Sequence, residues 1–278
     1  MSSPPLVISF RKVYYAYPEA EDYALRDVSF DLRAGGTEII LGGSGSGKST
    51  ILKLILGLIK PESGSIRVGG VEISHMGERE LMKVRAHIGM VFQEGALFDS
   101  LTVAENVGFR LREHESLSET EIEDRIRSML GFVELEEYYD RMPSELSGGQ
   151  RRRVAVARAM AHGPELILYD EATTGLDPIT ASNICDVIVK LRDLEGVTTV
   201  LVTHQLRDAF QVAQSFVFMR EGQISYKCIN ELDRLVGTEF MMLNDGRVAF
   251  QGRQKELWET PEPYVRSFLA GLTPTGRG

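Results

Sequence analysis

Apolar residues in the first part of the chain follow two spacings, one typical of β-strands and the other of α-helices. Residues 7–14 and 28–32 contain alternating and β-branched apolar side chains, which predicts two strands. A short apolar run at 37–41 ends in glycines, and residues 49–58 then carry apolar side chains at helical spacing. The pattern predicts a strand, a glycine-rich loop and a helix in direct succession.

The middle of the chain is richer in charged residues. Strands are predicted at 65–71 and 88–92, and helical spacing is then clearest at 119–130 and 150–160. We therefore predict a helical subdomain over about 98–162, inserted into a chain that otherwise alternates strands and helices.

The alternation resumes with a strand at 166–169, a helix at 179–194 and a strand at 198–202. Strands that alternate with helices in this way are typical of a mainly parallel sheet, so the predicted fold class is α/β.

Two segments near the C-terminal end, 218–224 and 242–248, resemble each other. Each has an acidic residue followed by glycine at its centre, which predicts the turn of a β-hairpin. Either two unrelated hairpins share this turn chemistry, or an extra β element lengthens this part of the domain. We divide the chain into a main domain over 1–225 and an extension over 226–278 with a possible extra hairpin and a terminal helix.

The charge balance narrows the range of partners. The 278 residues include 40 acidic and 31 basic side chains, for a formal net charge of −9. Affinity for nucleic acid comes from clustered Lys and Arg, so we expect no nucleic-acid partner. The one tight basic run is Arg151, Arg152 and Arg153, and we expect at least two of these side chains to form a solvated face.

No apolar stretch has the character of a signal peptide or approaches the roughly 18 residues of a membrane-spanning helix. We therefore expect a cytosolic protein whose membrane role, if it has one, comes through a partner. Cys185 and Cys228 are too few and too far apart for a disulfide framework or a zinc site, and both are predicted to be reduced thiols.

The glycine-rich loop matches the phosphate-binding pattern G-x-x-x-x-G-K-[ST] without a mismatch. Its residues are Gly42, Gly43, Ser44, Gly45, Ser46, Gly47, Lys48 and Ser49. Glycines let backbone N–H groups converge on phosphate oxygens, and the following helix directs its positive dipole end at the same anion. We expect Lys48 to reach the β- and γ-phosphates of ATP and the Ser49 hydroxyl to ligate Mg²⁺. Thr50 completes the predicted loop contacts.

The apolar strand at 166–169 ends in two carboxylates, Asp170 and Glu171. An acid at this position of a phosphate-loop enzyme holds the magnesium shell, which is the role predicted for Asp170. Glu171 then lies where a general base could polarise the attacking water.

The segment Ser147, Gly148, Gly149 and Gln150, preceded by leucine, resembles the signature motif of ABC ATPases. With it, a complete set of ABC motifs is present in order over about residues 6–225. The resemblance implies a phosphate-loop NTPase fold with a RecA-like, mainly parallel core sheet, an antiparallel β subdomain and an inserted helical subdomain.

The resemblance also implies roles for four further residues. Tyr17 would stack on adenine, and Gln93 would contact Mg²⁺ or the attacking water. His204 would contact the γ-phosphate and hold the water together with Glu171. Asp177 would lie in a subunit interface.

In this family the signature residues contact ATP bound to the opposite protomer. The resemblance therefore implies a head-to-tail homodimer with two ATP molecules between its halves, and we expect the second copy of the chain to complete each site.

Residues 94–107, with the sequence EGALFDSLTVAENV, are similar to the ATPases of the Mla and Mce lipid-trafficking systems. This similarity implies a phospholipid transporter at the cytoplasmic side of the inner membrane, with a permease docked near Gln93–Phe98 and a possible Mce-type lipid-binding partner. Ala96, Leu97 and Phe98 would form the apolar floor of the permease groove, although Leu97 and Phe98 could instead be core residues.

Two other functions stay open at this point. The chain could energise transport of a polar solute, since the ATP chemistry would be identical, or it could be a soluble ABC protein in regulation or assembly. Tyr264 and Phe268, four residues apart on one helical face, could contact a second subunit or return to their own domain.

Overall fold

A mixed six-stranded sheet forms the centre of the molecule. The computed structural model describes residues 4–114, 117–220, 223–228 and 237–270. In spatial order the strands are β12 (Arg247–Gly252), β11 (Thr238–Asn244), β3 (Thr37–Gly42), β8 (Thr198–Val202), β7 (Leu166–Asp170) and β6 (Ile88–Val91). All neighbouring pairs are parallel except β11 and β12, which are antiparallel.

Both faces of this sheet are covered, which explains the uninterrupted apolar runs of its inner strands. Successive residues of a strand point to opposite faces. Ile39 and Leu41 of β3 accordingly pack into a core shared with most of the helices. Ile40 packs into a second core on the opposite face.

A four-stranded antiparallel sheet closes the second core, as predicted from the family resemblance. Its order is β2 (Leu25–Arg33), β1 (Leu6–Tyr15), β4 (Ser63–Val68) and β5 (Val71–Glu72). The single strand predicted at 65–71 is therefore wrong. Gly69 and Gly70 have φ values of +58° and +78° and reverse the chain, so that Val71 pairs back with Val68.

The predicted helical insertion corresponds to three helices, α3 (Val103–His114), α4 (Glu119–Phe132) and α5 (Gly148–Met160). The remaining helices are α1 (Lys48–Ile55), α2 (Glu78–Arg85), α6 (Pro178–Glu195), α7 (Leu206–Gln214), α8 (Gln254–Glu259) and α9 (Pro263–Ala270). Within the described residues, none of these helices combines the length and apolar character needed to cross a membrane.

The basic run at the start of α5 is not a solvated face, so that expectation is wrong. Arg152 is only 5% exposed, and its Nη1 donates a 2.6 Å hydrogen bond to the carbonyl oxygen of Phe92. Arg151 and Arg153 also each donate to a backbone carbonyl oxygen. These arginines therefore connect α5 to neighbouring loops, and the partners of Arg152 and Arg153 are distant in the sequence.

Both segments that resemble each other in the tail belong to hairpins. Strand β9 (Ser215–Arg220) pairs with β10 (Gln223–Cys228), and β11 pairs with β12. The turn predicted at Glu221 and Gly222 lies outside the described residues, as does the side chain of Cys228. The domain boundary predicted at residue 225 stays a prediction. Strand β11, which belongs to the predicted extension over 226–278, is hydrogen-bonded to β3 inside the central sheet.

Candidate nucleotide-binding site

The phosphate-binding loop connects the end of β3 to the start of α1. Gly47, at the N-terminal end of α1, has a φ of +106°. A Cβ atom at this position would lie 2.6 Å from Leu25 Cδ2 and 2.7 Å from the carbonyl oxygen of Ala24. Glycine is therefore required both by the backbone conformation and by the close approach of this neighbouring segment. A glycine-rich loop followed by a helix N-terminus is the arrangement of N–H groups that binds phosphate in other proteins, and this segment fits it.

Lys48 is buried inside this loop. Its Nζ donates hydrogen bonds of 2.9 Å to the carbonyl oxygens of Gly42 and Gly43, and it lies 3.7 Å from Glu171 Oε1. Burial lowers the pKa of Lys48, while the carboxylates of Glu171 and Asp170 oppose that shift. A phosphate group in the loop would supply a further anion to this ammonium group.

Ser49 and Asp170 meet although they are distant in the sequence. Ser49 Oγ donates a hydrogen bond of 3.1 Å to Asp170 Oδ1 at the end of β7. Burial raises the pKa of Asp170, and the hydrogen bond from Ser49 acts in the opposite direction. Mg²⁺ prefers hard oxygen ligands such as these, and its charge would compensate for the burial of the carboxylate. The two residues therefore fit the predicted magnesium site.

The carboxylate of Glu171 is held from several directions. Thr174 Oγ1 donates a 2.8 Å hydrogen bond to Oε2, and His204 Nδ1 forms a 2.7 Å hydrogen bond with the same oxygen. Glu171 itself has a φ of +52°, a conformation uncommon for a residue with a side chain. The turn after β7 thus directs this carboxylate toward Lys48 and His204.

Tyr17 also borders the site. Its hydroxyl lies 3.1 Å from Thr50 Oγ1, and Lys53 Nζ lies 5.5 Å from the centroid of its ring. The side chain is 36% exposed, so part of the ring is available as a surface on which a purine base can stack.

One cavity of about 740 Å³ joins these groups. This volume is within the range of ligand-binding pockets. The lining residues are Tyr17, Ala24, Gly43, Ser44, Gly45, Gly47, Lys48, Ser49, Thr50, Gln93, Glu171, His204 and Phe268. Gly42, Ser46 and Asp170 are not in its lining, although Gly42 and Asp170 bind lining residues directly.

Sequence reasoning missed three residues of this site, namely Ala24, Thr174 and Phe268. Ala24 and Phe268 line the cavity, whereas Thr174 bonds to Glu171. Thr174 lies three residues after Glu171, a spacing that could have indicated a turn-stabilising hydrogen bond. Ala24 and Phe268 gave no such signal, because their position depends on contacts between distant segments.

The signature residues are outside the cavity of their own chain. Ser147 is the N-cap of α5 and accepts a hydrogen bond from the Gln150 backbone N–H, while the Gln150 side chain accepts one from the Ser147 N–H. A Cβ atom on Gly149 would lie 2.2 Å from Thr180 Cγ2, so this glycine allows α5 to approach α6. Gly148 precedes it as the first residue of the helix.

Asp177 is likewise outside the cavity. It is the N-cap of α6, where Oδ1 accepts hydrogen bonds of 3.1 Å from the N–H groups of Ile179 and Thr180. The Thr180 side-chain and backbone hydrogen bonds lower the pKa of this carboxyl group. The structure therefore gives Asp177 a local capping contact, and its interface role stays a prediction.

A separate groove of about 340 Å³ has Phe92, the residue before Gln93, in its lining. Ala96 and Phe98 line it, as predicted, and Phe98 is 43% exposed. Leu97 is not in this lining and packs against the core shared with most of the helices, which is the alternative left open for it. The ring of Phe98 rests against Phe109, with 4.6 Å between centroids.

Comparison with known protein families matches residues 25–174 to the family described as ABC transporter. Methionine import ATP-binding protein MetN of Haemophilus influenzae (strain 86-028NP) is 40% identical over 210 residues, which cover 76% of this chain and 61% of that protein. MetN 2 of Burkholderia mallei (strain ATCC 23344) is 37% identical over 223 residues, covering 80% of this chain and 56% of that protein. The chain thus spans about six-tenths of the length of these curated relatives.

Among solved structures, the chain is similar to the ATP-binding cassette MJ0796, described as a dimer in a post-hydrolysis state bound to ADP and phosphate. The two share 32% sequence identity with a TM-score of 0.73, and the match covers 88% of this chain and 98% of that one. The family match and this likeness support the predicted fold and ATP hydrolysis as the chemistry of this domain.

The predicted phospholipid function and the Mla and Mce assignment are wrong, because the relatives above are methionine import proteins. These relatives do not support the predicted Mce-type lipid-binding partner either. The lipid assignment depended on the string at 94–107. In the structure, its residues form a loop and the start of α3. Asn106, for example, is fully buried and bonds to the backbone of Phe98. In this structure the string therefore has a local structural role.

Proposed function

The chain belongs to the ABC transporter family, and from that premise we propose that it is the ATP-hydrolysing subunit of a transporter that takes up a small polar solute of the amino-acid class. The observation that carries the ATPase part is the convergence of Lys48, Ser49, Glu171 and His204 on one cavity. The solute class follows from the function of the relatives described above, which is methionine import.

Each of these side chains has a task in hydrolysis. Lys48 would leave the carbonyl oxygens of its own loop to bind the β- and γ-phosphates. Glu171, held by Thr174 and His204, would accept a proton from the water that attacks the γ-phosphate. His204 would then contact the γ-phosphate from the same side of the cavity.

Ser49 and Asp170 would hold Mg²⁺, with Gln93 facing the same cavity. When bound, the ion neutralises charge on the β- and γ-phosphate oxygens.

A second copy of the chain is the partner required for turnover. The helix N-terminus at Ser147, with Gly148 and Gly149, is well formed but does not line the cavity of its own chain. A helix N-terminus binds anions. In a head-to-tail dimer, this one would contact the γ-phosphate held by the opposite protomer, and Asp177 would lie nearby.

The groove beside Gln93 is the proposed contact with an integral membrane permease. Its exposed aromatic rings, Phe92 and Phe98, suit an amphipathic helix that lays an apolar face into the groove. The chain would then lie at the cytoplasmic side of the inner membrane, attached through the permease.

The test is a pull-down of the tagged protein from its native membranes, reconstitution of the complex in liposomes, and uptake of radiolabelled methionine and the other common amino acids. We expect uptake of at least one amino acid that requires Mg-ATP. Lys48→Ala should lower ATP hydrolysis by roughly 100-fold or more and abolish uptake, whereas Lys60→Ala, at an exposed position, should leave both unchanged. Hydrolysis without uptake of any amino acid would overturn the solute class, and full hydrolysis by Lys48→Ala would overturn the site.

A further inference from the structure

The C-terminal helix α9 lies against the phosphate-binding loop. Its residue Tyr264 accepts a hydrogen bond of 3.3 Å from the backbone N–H of Gly43 to its hydroxyl oxygen. This N–H belongs to the second residue of the eight-residue loop, 221 positions away in the sequence. The phosphate-binding loop therefore contacts α9, and no sequence motif predicts this contact.

The buried apolar face of α9 holds the helix in place. Val265 is fully buried and Leu269 is 6% exposed, and both belong to the core that covers the central sheet. Tyr264 and Phe268, four residues apart, share the face turned toward the loop, with 6.2 Å between ring centroids. The helix thus packs on its own domain, and a contact of Tyr264 or Phe268 with a second subunit stays a prediction.

Phe268 extends this contact into the site. Its side chain lines the same cavity as Tyr17, Gly43 and Lys48 and is only partly buried. An aromatic side chain that borders a cavity of this size would be in contact with a nucleotide that fills it. Aromatic faces stack on nucleobases with a substantial gain in affinity.

We infer that α9 is part of the nucleotide site, with Phe268 as a second aromatic residue in contact with the bound nucleotide and Tyr264 as a positioning residue that holds the phosphate-binding loop at Gly43. This inference rests on the proposed ATPase function and adds two residues to it. The Tyr264 hydroxyl acts through the loop, whereas Phe268 acts on the ligand itself.

The experiment measures equilibrium binding of a fluorescent ATP analogue with Mg²⁺, and steady-state hydrolysis of Mg-ATP, for four variants of the full chain. Phe268→Ala should raise the Kd by about 5-fold or more, in line with the loss of an aromatic contact to the bound nucleotide. Tyr264→Phe, which removes a single hydroxyl, should raise it by about 2- to 10-fold. In both variants KM should rise while kcat at saturating ATP changes by less than about 2-fold, because the lost contacts bind substrate and transition state alike.

The matched controls are on the same helix. Arg266→Ala removes an exposed side chain of α9 and should leave Kd and KM unchanged, whereas Phe268→Tyr keeps the ring and should restore most of the affinity. Thermal unfolding of each variant verifies that α9 is still folded. If Phe268→Ala and Tyr264→Phe bind the analogue as tightly as Arg266→Ala, the inference is wrong while the proposed function stands. If the unmodified chain fails to bind it, the proposed function itself fails.

Discussion

At the scale of single residues, Glu171 has an uncommon backbone conformation, and hydrogen bonds hold its carboxylate in one orientation. Its φ of +52° is held by the turn that follows β7, in which Thr174 N–H donates to the Glu171 carbonyl oxygen. Strain of this kind is found where the surrounding structure requires a particular direction of a side chain. Here it directs the carboxylate at His204 and Lys48.

Glu171→Gln is expected to lower the rate of ATP hydrolysis by about 100- to 10,000-fold, because the amide cannot accept the proton of the attacking water. Binding of Mg-ATP should persist, since Lys48 and Ser49 are unchanged, and the ATP-bound dimer should accumulate. Hydrolysis assays and size-exclusion chromatography with ATP measure the two effects.

Glu165→Gln provides the control. Glu165 is an exposed carboxylate immediately before β7, and its replacement should leave hydrolysis unchanged. Normal turnover by Glu171→Gln, with no ATP-bound dimer, would show that another group acts as the base.

A second residue, Glu38 on β3, has a buried carboxyl group that affects the stability of the folded chain. Its side chain is fully buried, and neither carboxylate oxygen has a hydrogen-bond partner among the described residues. Burial, with a smaller contribution from the carboxylate of Glu239, raises the pKa of Glu38 well above its usual value. The two arginines that border the same cavity are engaged elsewhere, Arg11 with Asp31 and Arg33 with the carbonyl oxygen of Pro4.

Because the folded chain holds this proton more tightly than the unfolded chain, Glu38 lowers stability as pH rises from its unfolded pKa to its folded pKa. Glu38→Gln should remove that dependence and raise the free energy of unfolding at neutral pH by about 1–3 kcal/mol. Denaturant unfolding at acid and neutral pH measures the change.

The exposed Glu195 at the end of α6 provides the comparison, since Glu195→Gln should leave the pH profile as it is. A Glu38→Gln variant that is less stable than the unmodified chain at neutral pH would mean that the buried carboxylate has a favourable partner.

At the scale of elements, the groove beside Gln93 depends on the start of α3. The Asn106 side chain is fully buried. Its Oδ1 accepts from the Phe98 N–H at 2.8 Å, and its Nδ2 donates to the carbonyl oxygens of Phe98, Leu101 and Thr102, each at 3.0 Å. One amide thus joins the preceding loop to the first turn of α3.

Asn106→Ala should therefore release the loop that carries Phe98 and lower the free energy of unfolding by about 2–3 kcal/mol, since several buried backbone groups lose their partner. Hydrogen exchange of the Phe98 amide should become faster. Asn183→Ala, at an exposed position of α6, is the matched control and should alter neither quantity. If hydrogen exchange of the Phe98 amide is unchanged, contacts other than those of Asn106 hold the loop that forms the groove.

At the scale of the whole molecule, the separation of the signature residues from the cavity of their own chain predicts shared active sites. A Ser147→Arg chain keeps its own phosphate-binding loop, and a Lys48→Ala chain keeps its own signature helix. Each variant alone should be inactive. Mixed dimers contain one intact site, so an equal mixture should recover roughly a quarter of the unmodified activity if the chains pair at random.

Steady-state hydrolysis of the separate and mixed variants measures this recovery. Circular dichroism of Ser147→Arg is needed beside it, because the change also removes the N-cap of α5, which costs about 1 kcal/mol. A mixture that stays inactive, although both variants are folded and form mixed dimers, would exclude a site built from two chains.

The sequence by itself determined those parts of the site that lie within short segments. The phosphate-binding loop and the two carboxylates after β7 could be identified because their chemistry needs neighbouring residues in fixed order. The α/β class also followed from periodicity, since the apolar spacing of each strand and helix is a local property.

The tertiary structure decided what depends on segments that are distant in the chain. It placed β11 beside β3, turned the arginines of α5 onto backbone carbonyl groups, and brought Phe268 to the cavity. No local pattern encodes these contacts, because their energy arises only when both partners are folded. The residues after Gln93 likewise pack and form hydrogen bonds at the start of the helical subdomain, and these contacts exist only in the folded chain.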